Sequence, residues 1–441
     1  MKFNFLPAAA IVSLSVCLPA CRNNNSNAEM VTLLKNINSK ESVIQNPFFP
    51  EAQLNYADSV MRGAKNVQEW SMAGLSKTSA LLKLGKEQQA ADLLEKLLPI
   101  ANDPQYRLVI LKTMGITYLR IGERSNCIHG HTDESCVFPI RGDGVHINKM
   151  GSEKAIEIYQ AILKIDSSDL ESRWLLNIAY MTIGAYPSGV PRAWLLKGLD
   201  ADTSFKIKPF VELAAKTGLD INNMAGGSIV EDFDNDGNLD IVTSSMDLSE
   251  GMHYCRNNGD GSFTDLSARS GLKDLTGGLN IMQTDYNNDG LKDIFVLRGA
   301  WKGKHGLEPV TLLRNNGDGT FTDVTKESGL FSLYPTQTAT WADFNNDGWL
   351  DVFVGLESTG GNIFPCELFI NNRDGTFTEV AAKAGCDIKD FVKGVIAGDF
   401  NNDGRPDIFI SSLSGEKRLL RNDGIINGCV HFTDVADQAG L

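Results

Sequence analysis

Four copies of one acidic nine-residue segment recur in the second half of the chain. They read DFDNDGNLD from Asp232, DYNNDGLKD from Asp285, DFNNDGWLD from Asp343 and DFNNDGRPD from Asp399, at spacings of 53, 58 and 56 residues. Self-similarity at a nearly fixed period indicates that one structural unit is used several times. The oxygen-bearing side chains of these segments, here called Asp loops 1 to 4, are suited to a hard cation.

Each Asp loop has Asp or Asn at its first, third, fifth and ninth positions, and a Gly follows the fifth. Calcium takes six to eight oxygen ligands at about 2.3–2.6 Å, and a tight loop turning on a Gly can wrap them around one point. The seventh position varies in type, which predicts a ligand from its backbone carbonyl. The loops contain no Cys or His, which argues against zinc. We expect one Ca²⁺ per loop, about four in all. The candidate ligands are Asp232, Asp234, Asp236, Asn238 and Asp240; Asp285, Asn287, Asp289, Leu291 and Asp293; Asp343, Asn345, Asp347, Trp349 and Asp351; and Asp399, Asn401, Asp403, Arg405 and Asp407.

The residues after each loop distinguish it from an EF-hand. An EF-hand loop closes with a Glu at the twelfth position and leads into a helix. Here no twelfth residue is Glu, and segments such as DIVTSS and DVFVGL are typical of strands. We therefore expect the ninth Asp to close each site from the start of a strand. The alternative is that Asp, Asn and Gly serve only as good turn formers. Thirteen carboxylates at these positions would repel one another, so a positive group is expected nearby.

A second repeated segment lies between the Asp loops. It reads RNNGDGSFTD from Arg256, RNNGDGTFTD from Arg314 and INNRDGTFTE from Ile370, with a degenerate copy from Arg421. Asn-Gly and Asp-Gly between strand-like flanks predict tight hairpins, to which no chemistry is assigned. Units of this length with short apolar strands suit the blades of a β-propeller.

Together, the Asp loop, the strand and the NNGDGTFTDV segment resemble the FG-GAP/VCBS repeats of integrin α-type propellers. In particular they resemble the secreted and bacterial family that includes cartilage acidic protein and often ends in an ASPIC/UnbV module. The resemblance covers about 203 to 441 and implies calcium of structural role in the Asp loops. Propellers of that family usually have seven blades, whereas this chain has four Asp loops and no ASPIC/UnbV module. We therefore expect an incomplete propeller in a fragment of a longer protein, with closure by four blades as the alternative.

The first half of the chain has a helical pattern. Segments such as KEQQAADLLEKLLPI and SEKAIEIYQAILKID place apolar residues three and four apart. Three glycines are expected to end helices, at spacings of 37 and 62 residues: Gly85, Gly122 and Gly184. These spacings are close to a tetratricopeptide repeat, the second with an insertion, and Ala90, Ala155 and Tyr159 fit its small and aromatic positions. The segment resembles a degenerate tetratricopeptide array, an α-solenoid; helical hairpins of another kind are the alternative.

The predicted fold is therefore α+β and multidomain, with an N-terminal α-solenoid followed by all-β propeller blades. The expected domains are a lipoprotein-type signal peptide at 1–20, a flexible tether at 21–50, a tetratricopeptide-like domain at 51–200 with an inserted Cys/His loop at 123–151, and FG-GAP/VCBS repeats at 201–441.

The N-terminus has the pattern of a secretory signal, with one Lys, an apolar run and a small residue before Cys21. Leu18, Pro19, Ala20 and Cys21 resemble a bacterial lipobox, which implies acylation of Cys21; an ordinary cleaved signal is the alternative. No later stretch reaches the roughly 18 apolar residues of a membrane-spanning helix. We expect an exported protein held at the cell envelope by its lipid anchor, as an outer membrane lipoprotein or on the periplasmic face.

The inserted loop and the cysteines fit an oxidising compartment. We predict a disulfide between Cys127 and Cys136, and a second between Cys366 and Cys386. The insertion also contains His129, His131 and His146. A transition-metal site and a binding loop without metal therefore stay open beside the disulfide-pinned loop.

The charge of the chain bears on its partners. The net charge is −14 and no basic stripe is visible, which argues against nucleic acid. We predict a non-enzymatic, calcium-stabilised binding or scaffold protein with a protein or glycan ligand at the cell surface. An enzyme acting on polysaccharide is one alternative, although the chain lacks GxSxG and HExxH motifs. A structural subunit of a surface assembly is another.

Overall fold

The computed structural model describes residues 25–41, 49–130, 133–136, 138–199, 210–211, 213–413, 415 and 417–441. The chain divides into two compact units. Of the described residues, one unit contains 25–37 together with those from 216 to 441, and the other contains those from 38 to 215. The predicted signal peptide and Cys21 lie outside the described residues. None of the described helices is both long and apolar enough to cross a membrane.

The N-terminal region is helical, as predicted. Side-chain caps begin two of its helices: Asn66 accepts from the backbone N of Glu69 at 2.8 Å, and Asp169 accepts from that of Ser172 at 3.2 Å. The helices are α1 (Asn25–Glu41), α2 (Pro50–Gly63), α3 (Val67–Lys83), α4 (Glu87–Leu97), α5 (Pro104–Gly130), α6 (Asp133–Cys136), α7 (Met150–Ile165) and α8 (Leu170–Thr182).

Within the unit Asn38–Ala215, consecutive long helices pack against each other around an apolar core that includes Leu94 and Tyr159. Gly85 and Gly184, with φ of 66° and 76°, follow the ends of α3 and α8 as predicted. The prediction for Gly122 is wrong, because this residue lies inside α5. A side chain on the facing Gly151 would collide with the backbone of α5 at Gly122, so small residues let α5 and α7 approach closely.

The predicted Cys/His loop at 123–151 is partly helical, because α5 continues to Gly130 and α6 follows. His146 is buried, and its Nδ1 lies 3.1 Å from the Ser152 hydroxyl. Burial lowers the pKa of His146. The side chains of His129, His131 and Cys136 lie outside the described residues, so the disulfide and the metal site stay predictions.

The second half forms four antiparallel sheets of four strands each, in chain order, which is consistent with propeller blades. Apolar residues alternate with polar ones or run continuously where both faces are covered, as in the fully buried segment Asp293–Leu297. The strands are β1 (Ala225–Glu231), β2 (Asp240–Ser245), β3 (His253–Asn257) and β4 (Phe263–Asp265) in sheet 1; β5 (Asn280–Thr284), β6 (Asp293–Leu297), β7 (Thr311–Asn315) and β8 (Phe321–Asp323) in sheet 2; β9 (Thr338–Ala342), β10 (Asp351–Gly355), β11 (Glu367–Asn371) and β12 (Phe377–Glu379) in sheet 3; and β13 (Val392–Gly398), β14 (Asp407–Ser412), β15 (Lys417–Ile426) and β16 (Cys429–Asp434) in sheet 4.

Apolar cores lie between consecutive sheets. Aromatic edge-to-face contacts recur there, such as Phe233 with Phe321 at 5.9 Å and Phe344 with Phe432 at 5.8 Å between ring centroids. In the described part of the chain, sheets 1 and 4 do not pair with each other. The predicted disulfide between Cys366 and Cys386 is wrong, because both are free thiols buried in the core of sheets 3 and 4.

Residues 25–41 correct the predicted flexible tether, because they form α1 rather than an irregular segment. Met30 and Leu34, one helical turn apart, are buried in the core between sheets 1 and 2. The side-chain amide of Asn27 donates to the carbonyl of Phe321 at 3.0 Å and accepts from the backbone N of Asp323 at 2.7 Å. The side chain of Asn27 thus makes hydrogen bonds to the backbone of the edge strand β8 that an adjacent strand would otherwise make.

Each sheet is followed by a short tail ending in a left-handed Gly, and a further tail precedes sheet 1. The tails contain the four-residue helices α9 (Ala214–Thr217), α10 (Ser267–Ser270), α11 (Ala381–Ala384) and α12 (Ala436–Ala439). Gly218, Gly271, Gly329 and Gly385 each lie near the carbonyl of a Phe in the fourth strand of the following sheet.

Candidate metal-binding loops

The four Asp loops share one backbone conformation. The fourth residue of each is an Asn with φ between 52° and 58°, and the Gly two residues later has φ between 82° and 89°. Asn and Gly tolerate this left-handed region best. In loop 1 the carboxylate of Asp232 accepts from the backbone N atoms of Asp236 and Gly237, at 3.1 and 2.9 Å. The equivalent bonds recur in loops 2 to 4 at 2.7–3.1 Å.

The ninth Asp of each loop begins the second strand of its sheet, as predicted, and its role in closing a metal site stays a prediction. Asp240, Asp293, Asp351 and Asp407 are all at most 1% exposed. One oxygen of each accepts a backbone N–H from the third strand of the same sheet, at 2.7–2.8 Å. The second oxygen accepts the backbone N–H of the second residue of the loop in loops 1, 3 and 4, at 2.9–3.2 Å, and a backbone hydrogen bond from Tyr286 acts on Asp293 in loop 2 by lowering its pKa.

Burial of the ninth Asp makes the charged form of its carboxyl group less favourable. Burial, together with repulsion from the carboxylates at the first and fifth positions of the same loops, raises the pKa of Asp293 and of Asp351 to about 7. The pKa values of Asp240 and Asp407 are also raised, mainly by burial. A bound cation would relieve this cost.

Loop 1 brings three carboxylates together. Asp232, Asp234 and Asp240 each offer one oxygen, and the three oxygens lie within 4.8 Å of one another. Among the described residues no other loop forms such a group of three acidic side chains. In loops 2 to 4 the third position is Asn, whose side-chain amide donates to the fifth Asp at 2.8–2.9 Å.

The positive group expected near the carboxylates is an arginine in three of the loops. Arg256 contacts Asp234 at 2.8 Å and Asp236 at 3.3 Å. Arg373 and Arg405 contact the fifth Asp of loops 3 and 4, at 2.9 and 2.5 Å. Sequence reasoning missed the first two and assigned Arg405 only a backbone role. All three arginines are substantially exposed, so solvent screens these ion pairs.

The hairpin segment also supports the Asp loops, although no chemistry was predicted for it. Its hairpins are the third and fourth strands of every sheet, as expected. The first Asn of the segment donates its backbone N–H to the ninth Asp of its own sheet. Its side chain reaches the preceding sheet: Asn315 donates to the carbonyl of Phe233, and Asn422 to that of Phe344, both at 2.8 Å. The sequence signal that could have indicated this role is the presence of Asn at the same position in all four copies of the hairpin segment.

The donor set fits a hard cation. The side chains at the first, third, fifth and ninth positions offer only oxygen as ligand atoms, which is what calcium prefers. The backbone N atoms of Asn238, Leu291, Trp349 and Arg405 donate to the fifth Asp of their loops at 2.8–3.0 Å, and their role as carbonyl ligands stays a prediction.

Comparisons with known proteins agree with this repeated geometry. A family model described as an FG-GAP-like repeat matches residues 232–296, 285–354 and 360–410. The chain is 30% identical over 180 residues to cartilage acidic protein 1 of Xenopus tropicalis, covering 40% of this chain and 25% of that protein. It is 27% identical over 247 residues to cartilage acidic protein 1 of Homo sapiens, covering 54% of this chain and 35% of that protein.

These alignments span only about a quarter to a third of the length of the curated relatives. What they establish is a distant similarity to cartilage acidic protein 1. The second half of the chain contains FG-GAP-like repeats.

Proposed function

We propose that the four-sheet unit is a calcium-stabilised scaffold that presents binding surfaces and has no catalytic role. The supporting observation is that one loop conformation recurs four times, each with a buried ninth carboxylate at the start of the second strand. Calcium accepts several oxygen ligands in variable geometry, whereas Mg²⁺ demands a near-ideal octahedron. Asp232, Asp234 and Asp240 would hold the ion of loop 1, and the equivalent positions those of loops 2 to 4.

Bound calcium would strengthen the junctions between sheets. Asp loops 1 to 3 each contact the next loop through the Asn at the fourth position; the amide of Asn346, for example, donates to the carbonyl of Gly404 at 3.0 Å. A cation that neutralises the carboxylates of a loop therefore also orders a contact with the neighbouring sheet. The benefit is stability of the scaffold, with no chemical step at the ion.

The helical unit supplies a second binding surface in this proposal, as tetratricopeptide-like arrays do. A cavity of about 680 Å³ lies between α3 and the start of α5 and is lined by Met72, Leu75 and Tyr106 among others. Val67 and Met72 are each 61% exposed at its rim. This apolar groove is suited to a peptide ligand, and the partner we propose is a protein or glycan of the cell surface.

Export and lipid anchoring complete the proposal and are supported by the N-terminal sequence alone. Acylation of Cys21 would place the protein on the bacterial envelope, at the outer membrane or its periplasmic face. Mass spectrometry of the mature N-terminus tests this part. A lipid-modified Cys21 supports it, and an unmodified residue elsewhere at the N-terminus refutes it.

Calorimetric titration of the chelated chain with Ca²⁺ tests the metal sites. We expect about four ions per chain, and about three for Asp232→Asn, which removes a ligand charge from loop 1 without changing its size. The matched control is Asp260→Asn, in the hairpin turn of the same sheet. Calcium at 100 times its Kd should add about 2.7 kcal/mol per site to the free energy of unfolding. Absence of binding heat, with no metal in the folded protein, would contradict the proposal.

A further inference from the structure

The inserted Cys/His loop has no part in the proposed scaffold, yet its described residues are held firmly in place. The side-chain amide of Asn126 donates to the carbonyl of Asn148, and the backbone N of Asn148 donates to the side-chain oxygen of Asn126, both at 2.9 Å. Phe138 packs edge-to-face on Trp174 of α8, with ring centroids 5.3 Å apart. The described part of the insertion therefore forms a fixed wall beside α5 and α8.

This wall encloses a cavity of about 420 Å³ whose lining is mainly apolar. Protein interiors are closely packed and contain few voids larger than a water molecule. Pockets of roughly 300–1,000 Å³ with apolar walls and a few polar groups are typical of small-molecule sites. The apolar lining comes from α5, α8 and the insertion: Ile116, Leu119, Leu175, Ile178, Phe138 and Ile140.

A buried histidine lines the same cavity. His146 is 6% exposed, its backbone N donates to the carbonyl of Thr182 at 2.8 Å, and its Nδ1 lies 3.1 Å from the Ser152 hydroxyl. The Nδ1 edge of the ring lies against Gly122, so the opposite edge, which carries Nε2, is the one that lines the cavity. Among the described residues Nε2 has no hydrogen-bond partner, although buried polar groups are nearly always paired.

The charges around the cavity indicate which polar group would suit Nε2. The charged lining residues Arg120 and Glu123 are both exposed, so no described charged side chain is buried in the cavity. A charged ligand group beside His146 would lose its hydration without gaining a counterion, which is costly. Burial also lowers the pKa of His146, so its imidazole is uncharged at neutral pH. A hydroxyl group suits either tautomer of that ring, because it can both donate and accept.

We propose that this cavity binds an uncharged apolar molecule with one hydroxyl group. The apolar body packs between α5, α8 and the insertion, and the hydroxyl forms a hydrogen bond with Nε2 of His146. The site is separate from the proposed scaffold role and does not rest on it, because neither the Asp loops nor the groove between α3 and α5 contributes a residue to the cavity. The inserted segment then has a function of its own, which is to enclose this ligand.

A fluorescence titration of the full chain with 2-naphthol tests the proposal, since this molecule combines two fused apolar rings with one hydroxyl group. Naphthalene, which lacks the hydroxyl, should bind about three- to tenfold more weakly, the usual effect of losing one hydrogen bond. 2-Naphthoate should bind roughly tenfold more weakly than 2-naphthol, or worse, because its carboxylate would be buried without a counterion. Absence of 2-naphthol binding, or an equal affinity for either analogue, overturns the proposal.

Three substitutions locate the site. Ile178→Trp fills the cavity and should abolish 2-naphthol binding, whereas Ile165→Trp is the matched control on a residue that is 68% exposed at the end of α7. His146→Leu removes the ring nitrogens, so 2-naphthol and naphthalene should then bind equally. Undiminished 2-naphthol binding by Ile178→Trp, or a preference for 2-naphthol that survives in His146→Leu, overturns the proposal. Circular dichroism verifies that each variant is folded, and the three ligands on the wild-type chain provide the test where a variant does not fold.

Discussion

The side-chain amide of Asn371 donates to the backbone carbonyl of Tyr286, 85 residues earlier in the chain, at 2.8 Å. The same amide donates to the carbonyl of Leu350 at 3.1 Å, and the backbone N–H of Asn371 donates to Asp351 at 2.8 Å. One buried residue therefore connects the ninth position of Asp loop 3 to Asp loop 2 of the preceding sheet. Loop geometry and packing between sheets are physically coupled through it.

Replacing this residue should destabilise the four-sheet unit. Asn371→Ala removes two buried donors and leaves the carbonyls of Tyr286 and Leu350 without them, which typically costs 1–3 kcal/mol per unsatisfied group. We expect a loss of about 2–4 kcal/mol in the free energy of unfolding, measured by urea denaturation. Asn257→Ala is the matched control, because the side-chain hydrogen bonds that it removes all lie within its own sheet. Equal losses in the two variants would show that the contact between sheets contributes nothing.

A second connection between sheets is centred on Lys393. Its Nζ lies 3.1 Å from the ring centroid of Trp301 and 4.5 Å from that of Phe391, and it forms an ion pair with the fully buried Glu357. Glu357 also accepts from the backbone N of Trp301 at 2.7 Å. The cluster joins the loop after β6, the loop after β10 and strand β13. Burial lowers the pKa of Lys393 and raises that of Glu357, so each charge depends on the other.

Lys393→Met should therefore destabilise the protein by about 3–5 kcal/mol, because it leaves a buried carboxylate unpaired. Adding Glu357→Gln removes that charge, so the double variant should be more stable than Lys393→Met alone. Denaturant unfolding of the two single variants and the double variant gives the coupling energy. Additive losses would contradict the interpretation of Lys393 and Glu357 as one coupled pair.

Glu367 predicts a pH dependence of stability. Burial, together with repulsion from the nearby Glu379, raises its pKa from 4.5 to about 7. The folded chain then holds this proton more tightly than the unfolded chain, so the stability contribution is complete below about pH 4.5 and is lost as the pH rises towards 7. Glu367→Gln should remove this loss. The variant should gain roughly 1–3 kcal/mol over the wild type between pH 5 and 8, measured by urea unfolding at each pH. A constant difference across that range would contradict the assignment.

The repeat period and the alternation of residue types were enough to predict the four loops, the hairpins and the strand that begins at each ninth Asp. These features are local, because Asx turns and short strands depend on neighbouring residues. The role of Asn315 could not be derived in the same way, since its partner Phe233 is 82 residues away. The helix around Met30 was missed because its polar surroundings resemble a linker, and only burial between two sheets gives its apolar residues a partner.

Arg256 offers a test of electrostatics at Asp loop 1. Its guanidinium contacts Asp234, a candidate ligand, at 2.8 Å and therefore competes with a cation for that carboxylate. Arg256→Gln removes the competing charge. Because exposed ion pairs contribute about 0.2–1 kcal/mol, we expect calcium to bind loop 1 roughly two- to fivefold more tightly in this variant. Without calcium the variant should be slightly less stable than the wild type, since the loop then lacks any neutralising charge.

Calorimetry can assign this change to loop 1, because Asp232→Asn should remove the site. The double variant Arg256→Gln with Asp232→Asn should bind calcium as Asp232→Asn does, with no further gain. Arg269→Gln controls for the loss of one positive charge, since Arg269 is an exposed residue in α10 of the same sheet. Weaker calcium binding in Arg256→Gln would reverse the interpretation, because the arginine would then be a group that holds Asp234 and Asp236 in place for the ion.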